Sequence, residues 1–160
     1  MVTLEPAQNT DIYEAARLRQ AALQDAPKLV RLLERARDAG VTPSEAEVVM
    51  GLEHGGALVL ENGAGDLLCA LCWREDGTGW RLDRVATLPE ARGQGYGRWL
   101  MTKVEALAIR ANIPTLSLNL DEKRDDLLAY YGRMGYKSIT ESEGTVELEK
   151  RVGGMWQYKR

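Results

Sequence analysis

The sequence lacks a surplus of basic residues. Its 21 lysines and arginines are outnumbered by 24 aspartates and glutamates, which gives a formal net charge of -3. Proteins that bind nucleic acid mainly through its phosphates usually carry a basic surplus. The charge balance therefore argues against nucleic acid as the main partner.

Long apolar runs are also missing. No stretch approaches the roughly 20 apolar residues that a membrane-spanning helix needs, and Met1–Glu5 has neither the basic start nor the apolar stretch of a signal peptide. We therefore expect no membrane partner and a cytoplasmic location. The 160 residues, 44% of them hydrophobic, are typical of a single globular domain spanning 1–160.

Cysteine and histidine are scarce, because Cys69, Cys72 and His54 are their only representatives. The C-x-x-C spacing invites a metal or redox interpretation. However, both cysteines lie in Leu67–Trp73, which has the pattern of a buried strand, and residues three apart on a strand point to opposite faces. We interpret them as core cysteines and expect no bound metal.

The N-terminal part of the chain shows mainly helical patterns. The predicted elements are a strand at Val2–Leu4, a helix from Thr10 to Leu23 that Pro27 interrupts, a second helix over Leu29–Ala36 that Gly40 ends, and a third that starts with a capping box at Thr42–Glu45, has Pro43 at its first position and stops at Gly51.

Three strands joined by short turns follow, and they predict an antiparallel meander. These strands are Ala57–Glu61, Asp66–Arg74 and Trp80–Leu88. A helix then begins in a glycine-rich segment, and Thr115–Leu120 alternates as a strand does. A strand, a loop, a helix and a strand make a βαβ unit, whose two strands should be parallel.

The C-terminal part has a short helix and further strand candidates. They are the helix Asp125–Met134 and the strands Tyr136–Thr140, Thr145–Leu148 and Met155–Lys159. Together these patterns predict an α+β fold. In its mixed sheet an antiparallel meander leads into a parallel crossover, and helices cover both faces.

The segment Arg92–Gly97 carries glycine at every second position where a helix begins. A helix N-terminus presents unpaired N–H groups and a partial positive charge, and glycine lets the backbone approach an anion closely. Arg92 and Arg98 add charge-assisted donors. The segment predicts a pyrophosphate site, and the alternative is a glycine-rich turn that enters an ordinary helix.

Two familiar phosphate motifs are excluded. The loop has no Gly-Lys-Ser/Thr ending, which the P-loop of nucleotide triphosphatases needs. Its glycine spacing also differs from the G-x-G-x-x-G fingerprint of dinucleotide-binding folds, and that fingerprint normally follows a first parallel strand rather than a meander.

Two segments resemble the motifs of one protein family. Ala86–Gly97 resembles motif A of the GNAT superfamily, the acyl-CoA-dependent N-acyltransferases, whose pattern is Arg/Gln-x-x-Gly-x-Gly/Ala. Arg92 and two glycines occupy the pattern positions, and Pro89 stands three residues earlier, as in the family. Tyr131, followed four residues later by Gly-Tyr, resembles motif B. The order of elements also matches over nearly the whole chain.

The resemblance implies that acetyl-CoA is the co-substrate. In this family the pantetheine arm lies where the fourth and fifth strands splay apart, and it pairs with the fourth strand like an added strand. Carried over, Val85, Ala86 and Thr87 would contact the arm, and the Val85 N–H would polarise the thioester carbonyl. The residues implied for the pyrophosphate are Arg92, Gly93, Gln94, Gly95, Tyr96, Gly97 and Arg98.

The resemblance also implies catalytic roles. Tyr131 matches the family tyrosine that lies near the coenzyme sulfur and can protonate it, whereas the alternative of a core tyrosine suits Tyr130 better. Some relatives use a carboxylate on the strand before the loop as base, and Asp83 is the candidate there. The alternative for Asp83 is an ion pair with Arg81 or Arg84.

One position departs from the family. Many members carry Asn seven residues before the motif B tyrosine, where this chain has Arg124. Arg124 could reach a coenzyme phosphate instead, or it could be solvated.

The resemblance therefore predicts an N-acetyltransferase that moves acetyl from acetyl-CoA to a primary amine of a small molecule or peptide by direct attack. The alternatives are a non-catalytic acyl-CoA-binding or regulatory module, and an N-acyltransferase that uses a longer acyl-CoA. A homodimer is possible, because dimers are common among relatives.

Overall fold

The structure, a computed structural model, describes residues 16–36, 42–121 and 123–153. In this part of the chain the strands are β1 Arg17–Gln20, β2 Gly55–Glu61, β3 Leu67–Asp76, β4 Gly79–Thr87, β5 Thr115–Leu120, β6 Lys137–Ser142 and β7 Thr145–Arg151. The helices are α1 Ala26–Ala36, α2 Glu45–Glu53, α3 Tyr96–Arg110 and α4 Asp125–Arg133, and 3₁₀ turns occur at Leu23–Asp25 and Pro89–Ala91.

The described strands form one mixed sheet with the order β1-β2-β3-β4-β5-β7-β6. β1 is antiparallel to β2, β4 is parallel to β5, and β7 is antiparallel to both β5 and β6. β2, β3 and β4 are neighbours joined by short turns, so they form the predicted meander. The predicted α+β fold, with its parallel crossover from β4 through α3 to β5, is therefore confirmed.

The chain divides into two compact units. The first contains the residues up to 72 together with 84–101, and the second contains 73–83 together with the residues from 102 onward. β3, β4 and α3 each contribute residues to both units. We describe the two units separately.

The core of the first unit is aliphatic. The buried face of α1 presents leucines at spacings of three and four, as an amphipathic helix requires. They are Leu29, Leu32 and Leu33, and Ala36, the last residue of α1, is buried as well. β2 is buried from Ala57 to Glu61, and β3 is buried from Leu67 to Leu71. Tyr96 and Leu100 of α3 are buried as well, so the first turns of that helix are firmly seated.

One predicted helix is wrong where the structure describes it. The pattern predicted a helix from Thr10 to Leu23, but Arg17–Gln20 is strand β1. Arg17 and Arg19 share one face of β1, and both donate to Glu61 on β2, at 3.1 Å. Pairing with β2 and these ion pairs outweigh the local helical propensity, because propensity is a weak preference that tertiary contacts override.

Two prolines occupy other positions than predicted. Pro27 does not interrupt a helix but lies in the first turn of α1, where its missing N–H has no cost. Pro43 precedes the next helix rather than starting it. Ser44 is the N-cap of α2, and its capping box is formed with Glu47. α2 also continues past Gly51 to Glu53.

In the second unit, β5 and β7 both contribute buried residues. Leu116, Leu118 and Leu120 are all buried, as the strict alternation predicted. Trp73 and Trp80 are stacked with ring centroids 4.7 Å apart. β6 is exposed along its whole length, and β7 extends to Arg151, beyond the predicted Leu148.

Four predictions lie outside the described residues. They are the strand Val2–Leu4, the cap at Thr10, the helix end at Gly40 and the strand Met155–Lys159. Within the described residues, no helix combines the length and the hydrophobicity that crossing a membrane requires.

Candidate functional site

The glycine loop adopts a conformation that requires glycine. Gly93 has a φ of +83° and Gly95 a φ of +81°, in the region that L side chains rarely adopt. A Cβ added at either residue would meet nothing within 4 Å. The backbone conformation rather than crowding therefore requires glycine, and the space above both residues is open to a ligand.

Helix α3 begins directly after this loop. It is 15 residues long, starts at Tyr96 and holds no acidic side chain in its first turn. The N–H groups of a first helical turn lack intrahelical acceptors and carry a partial positive charge. Tyr96 is only 2% exposed, which fixes the start of the helix, whereas Arg98 is exposed. The loop and the first turn together form the geometry of an anion site.

Arg92 is engaged by backbone carbonyls. Its Nε donates to the carbonyl oxygen of Thr87 at 3.2 Å, and one of its terminal nitrogens donates to that of Ala36 at 2.6 Å. The structure thus gives this guanidinium partners at the ends of β4 and α1. Its predicted contact with a phosphate stays a prediction.

The end of β4 extends beyond the ladder with β5. That ladder pairs Trp80–Leu82 with Leu116–Leu118, and β4 continues to Thr87. The Val85 side chain is 42% exposed, unusually so for an apolar residue on a strand. Its Cγ1 lies 3.4 Å from where a Cβ on Gly97 would stand, so Val85 packs beside the first turn of α3.

Both cysteines are free thiols. Cys69 is fully buried, which agrees with its interpretation as a core residue. Its Sγ lies 3.2 Å from Thr87 Oγ1, and burial raises the pKa of the thiol. Cys72 is partly exposed. Within the described ranges no group of three His, Cys, Asp or Glu side chains could hold a metal ion.

Asp83, the predicted base, makes an ion pair with a residue that the sequence pattern did not indicate. Its Oδ2 accepts from Arg74 Nε at 2.9 Å, and its side chain keeps 28% of its surface exposed. The predicted alternative partner Arg81 instead pairs with Asp76 and Glu147. The carboxylate is thus oriented by Arg74 yet still accessible.

Tyr131, the predicted acid, lies on α4 in a cluster of aromatic rings. Its ring meets that of Tyr130 edge to face, with centroids 5.1 Å apart, and that of Tyr136 at 6.0 Å. Partial burial, followed by the influence of Tyr130, raises the pKa of Tyr131. A phenol that keeps its proton at neutral pH can act as a proton donor.

Tyr136 is the second ring in contact with Tyr131. It is 4% exposed, and within the described part of the chain its hydroxyl has no hydrogen-bond partner. Burial, followed by the charge of Glu105, raises its pKa. Lys150 lies 5.9 Å from the centre of the Tyr136 ring and pairs with Glu105 at 2.9 Å. Sequence reasoning missed Lys150 and Glu105, because their contact joins positions 45 residues apart.

Arg124 precedes α4 as its N-cap residue. Its guanidinium pairs with Asp126 at 2.8 Å and lowers the pKa of that carboxyl, while the Arg124 side chain remains 52% exposed. The structure does not test its predicted contact with a phosphate.

The first unit also has a groove that no sequence pattern predicted. Its volume is about 460 Å³, and it lies between α1, the turn from β2 to β3 and the 3₁₀ turn Pro89–Ala91. Lys28, Arg31 and Arg35 line it along α1, and Arg35 pairs with Glu90 at 2.8 Å. The basic face of α1 is therefore one wall of this groove.

Comparisons with known proteins point to one family. The family described as "Acetyltransferase (GNAT) domain" matches residues 53–138, more than half of the chain. The S-alkylcysteine N-acetyltransferase of Bacillus subtilis (strain 168) is 31% identical over 144 residues, and the match covers 78% of this chain and 80% of that protein.

Two further proteins are similar to this chain, one over part of its length and the other over most of it. The peptidyl-lysine N-acetyltransferase YjaB of Salmonella typhimurium is 33% identical over 66 residues, covering 41% of this chain and 42% of that protein. The crystal structure of the ribosomal-protein-S18-alanine N-acetyltransferase from Escherichia coli matches with a TM-score of 0.75 at 17% identity, covering 86% of this chain and 94% of that one. This last likeness concerns the fold.

Proposed function

The chain belongs to the GNAT family of N-acetyltransferases, and from this premise we propose that it transfers acetyl from acetyl-CoA to the primary amine of a small molecule or a peptide. One observation carries the proposal. Gly93 and Gly95 hold positive φ angles at the N-terminus of the 15-residue helix α3. This is the geometry that a pyrophosphate needs, and coenzyme A contains one.

The loop fits the coenzyme on several counts. The space over Gly93 and Gly95 is open, and the first turn of α3 offers N–H groups without a competing carboxylate. Arg98 is exposed on that turn, where its guanidinium can bind a phosphate oxygen. Gln94, Tyr96 and Gly97 complete the loop through their backbone. Arg124 remains a second candidate for a phosphate contact.

The end of β4 is proposed to bind the pantetheine arm. Val85, Ala86 and Thr87 continue past the ladder with β5, so their edge can receive an extended ligand as an added strand. The Val85 N–H is the proposed donor to the thioester carbonyl. A preorganised donor at that oxygen stabilises the negative charge that develops during attack.

The reaction forms a bond from the amine nitrogen to the acetyl carbon and breaks the bond from that carbon to sulfur. Asp83 is the proposed base that takes a proton from the amine, directly or through water, and Arg74 orients it. Tyr131 is the proposed acid that gives its proton to the departing thiolate and regains one from solvent. Its raised pKa keeps it protonated until then.

Two acceptor classes follow from the relatives. One relative acts on S-alkylcysteine and the other on peptidyl-lysine, and both compounds offer a primary amine. The S-alkylcysteine enzyme matches over most of this chain, whereas the peptidyl-lysine enzyme matches over less than half. We therefore place S-alkylcysteine and related amino acids first among the acceptors to be tested. A cytoplasmic location and a homodimer stay predictions.

The test is release of free thiol from acetyl-CoA in the presence of S-methylcysteine, a lysine-containing peptide and a peptide with a free N-terminus. We expect Tyr131→Phe to lower kcat by about 10²-fold or more while coenzyme binding persists. Tyr130→Phe is the matched control, because it removes the neighbouring hydroxyl and should keep kcat. Binding of acetyl-CoA without turnover of any amine would contradict the proposed reaction, and turnover only with longer acyl-CoA would reassign the donor.

A further inference from the structure

We propose that Arg92 is a positioning residue that holds the phosphate loop to the ends of β4 and α1, rather than a ligand of the phosphates. The inference rests on the proposed binding of acetyl-CoA at this loop. It differs from the family expectation for this arginine, which places it with the groups that contact the coenzyme.

The contacts of Arg92 define the anchor. Its side chain donates to Thr87, the last residue of β4, and to Ala36, the last residue of α1. Its backbone N–H donates to the carbonyl of Pro89 at 3.3 Å, which closes the 3₁₀ turn. One residue therefore joins a strand end, a helix end and the entrance of the loop, all within the first unit.

Both side-chain bonds have a clear electrostatic reason. The carbonyls at the end of a helix carry a partial negative charge, so the positively charged guanidinium of Arg92 binds favourably at the Ala36 carbonyl. The distance of 2.6 Å is short for an N–H···O hydrogen bond, and a charged donor shortens such bonds. A donor committed to two carbonyls has less freedom to reach toward an incoming phosphate.

The loop needs such an anchor because of its glycines. Gly93, Gly95 and Gly97 lose more conformational freedom on ordering than other residues do. If the loop were loose in the free protein, the coenzyme would have to order it, and affinity would fall. Arg92 directly precedes Gly93, so fixing it preorganises the N–H groups that meet the pyrophosphate.

Lysine at this position separates anchoring from charge. A lysine ammonium keeps the positive charge, but it cannot reproduce a planar fork that reaches two carbonyls at once. We expect Arg92→Lys to raise the dissociation constant of coenzyme A and the KM for acetyl-CoA about tenfold, the loss typical of one charged hydrogen bond. Neither kcat at saturating acetyl-CoA nor the KM for the amine should change.

The uncharged variant Arg92→Gln gives a second test. If Arg92 anchors the loop, Gln and Lys weaken binding to a similar extent. If instead Arg92 binds a phosphate, Arg92→Gln binds coenzyme A far more weakly than Arg92→Lys does. The affinity of Arg92→Gln also depends less on salt than that of the wild type, because a screened charge contact has been lost. If only one of the two variants folds, its affinity for coenzyme A can still be compared with that of the wild type across salt concentrations.

Arg35→Gln is the matched control in the same unit. It removes an exposed ion pair with Glu90, the kind that contributes little, and should change coenzyme affinity less than threefold. Wild-type affinity in Arg92→Lys would overturn the positioning role. Wild-type protein that fails to bind coenzyme A would instead overturn the proposed function, so the two failures are distinguishable. Circular dichroism of each variant separates loss of fold from loss of affinity.

Discussion

The Asp83 carboxylate is an ion-pair partner of Arg74 and is also the proposed base. The ion pair with Arg74 at 2.9 Å gives it a structural role, and its 28% exposure leaves it accessible for proton transfer. Replacing it with asparagine removes the proposed base but keeps the shape of the side chain. We expect Asp83→Asn to lower kcat by about 10²- to 10⁴-fold, with little change in coenzyme affinity. Steady-state kinetics and calorimetric titration with coenzyme A measure the two quantities.

The matched control for this variant is Arg74→Gln, which breaks the same ion pair and leaves the carboxylate in place. If both variants lose activity equally, the ion pair and not proton transfer explains the effect. If Asp83→Asn keeps full kcat, Asp83 is not the base, and the exposed Glu75 at the end of β3 becomes the next residue to test.

The contacts that the side chains of the site make could not be predicted from the sequence. The loop glycines could be predicted because their spacing at a helix start has a local physical reason. The partners of Arg92 and Asp83 come from contacts between distant segments, with Ala36 standing 56 positions from Arg92. No spacing rule connects such positions, so the sequence assigned Arg92 to the phosphates by its charge and by the family resemblance and gave no sign of its contact with Ala36.

At the scale of elements, β1 is held to β2 by an ion cluster. Glu61 is buried and accepts from Arg17, Arg19 and Lys28, while Asp25 accepts from Arg19 at 2.8 Å. The hydrogen bonds from Arg19, then those from Arg17 and Lys28, lower the pKa of Glu61 from 4.5 to about 2. Arg19 likewise lowers the pKa of Asp25 below 3.8.

These shifts predict the acid dependence of stability. A carboxyl with a lowered pKa in the folded state stabilises the fold above its unfolded pKa, and this contribution is lost as pH falls toward the folded pKa. We therefore expect the melting temperature to fall steeply between pH 4.5 and about 2. In Glu61→Gln the protein should be less stable at pH 7 and its melting temperature should depend less on pH in this window. Thermal unfolding followed by circular dichroism measures both.

The control for the ion cluster is Glu90→Gln, which removes the exposed pair with Arg35 in the same unit. It should leave the acid profile nearly unchanged, because exposed pairs contribute little. An identical acid profile in wild type and Glu61→Gln would show that other carboxyls govern acid unfolding.

Elements were predictable where their signals are local. Thr115–Leu120 was predicted at its observed bounds because strict alternation leaves no other interpretation, and the meander followed from its turn residues. β1 was mistaken for helix because a four-residue strand is defined by pairing with β2 rather than by its own sequence. Pro27 was misplaced because proline is tolerated in a first turn and disruptive only later.

At the scale of the whole molecule, we expect coenzyme binding to raise the stability of the fold. A ligand that binds only the folded state raises its free energy of unfolding by RT ln(1 + [L]/Kd), which is about 2.7 kcal/mol at 100 times Kd. For a chain of 160 residues this corresponds to roughly 5–10 °C in melting temperature. We expect a shift of this size with saturating acetyl-CoA and with free coenzyme A, measured by differential scanning fluorimetry.

Ligand fragments and a loop variant identify the source of this shift. Pantetheine lacks the pyrophosphate and should produce a much smaller shift at the same concentration. Gly95→Ala places a Cβ on a residue with φ of +81°, which costs about 1–2 kcal/mol in that conformation, so its loop should bind the coenzyme weakly and the shift should shrink. Gly51→Ala is its control, because Gly51 lies in α2 with open space for a Cβ and the change should leave the shift intact. An equal shift in Gly95→Ala and wild type would place the coenzyme phosphates elsewhere than on this loop.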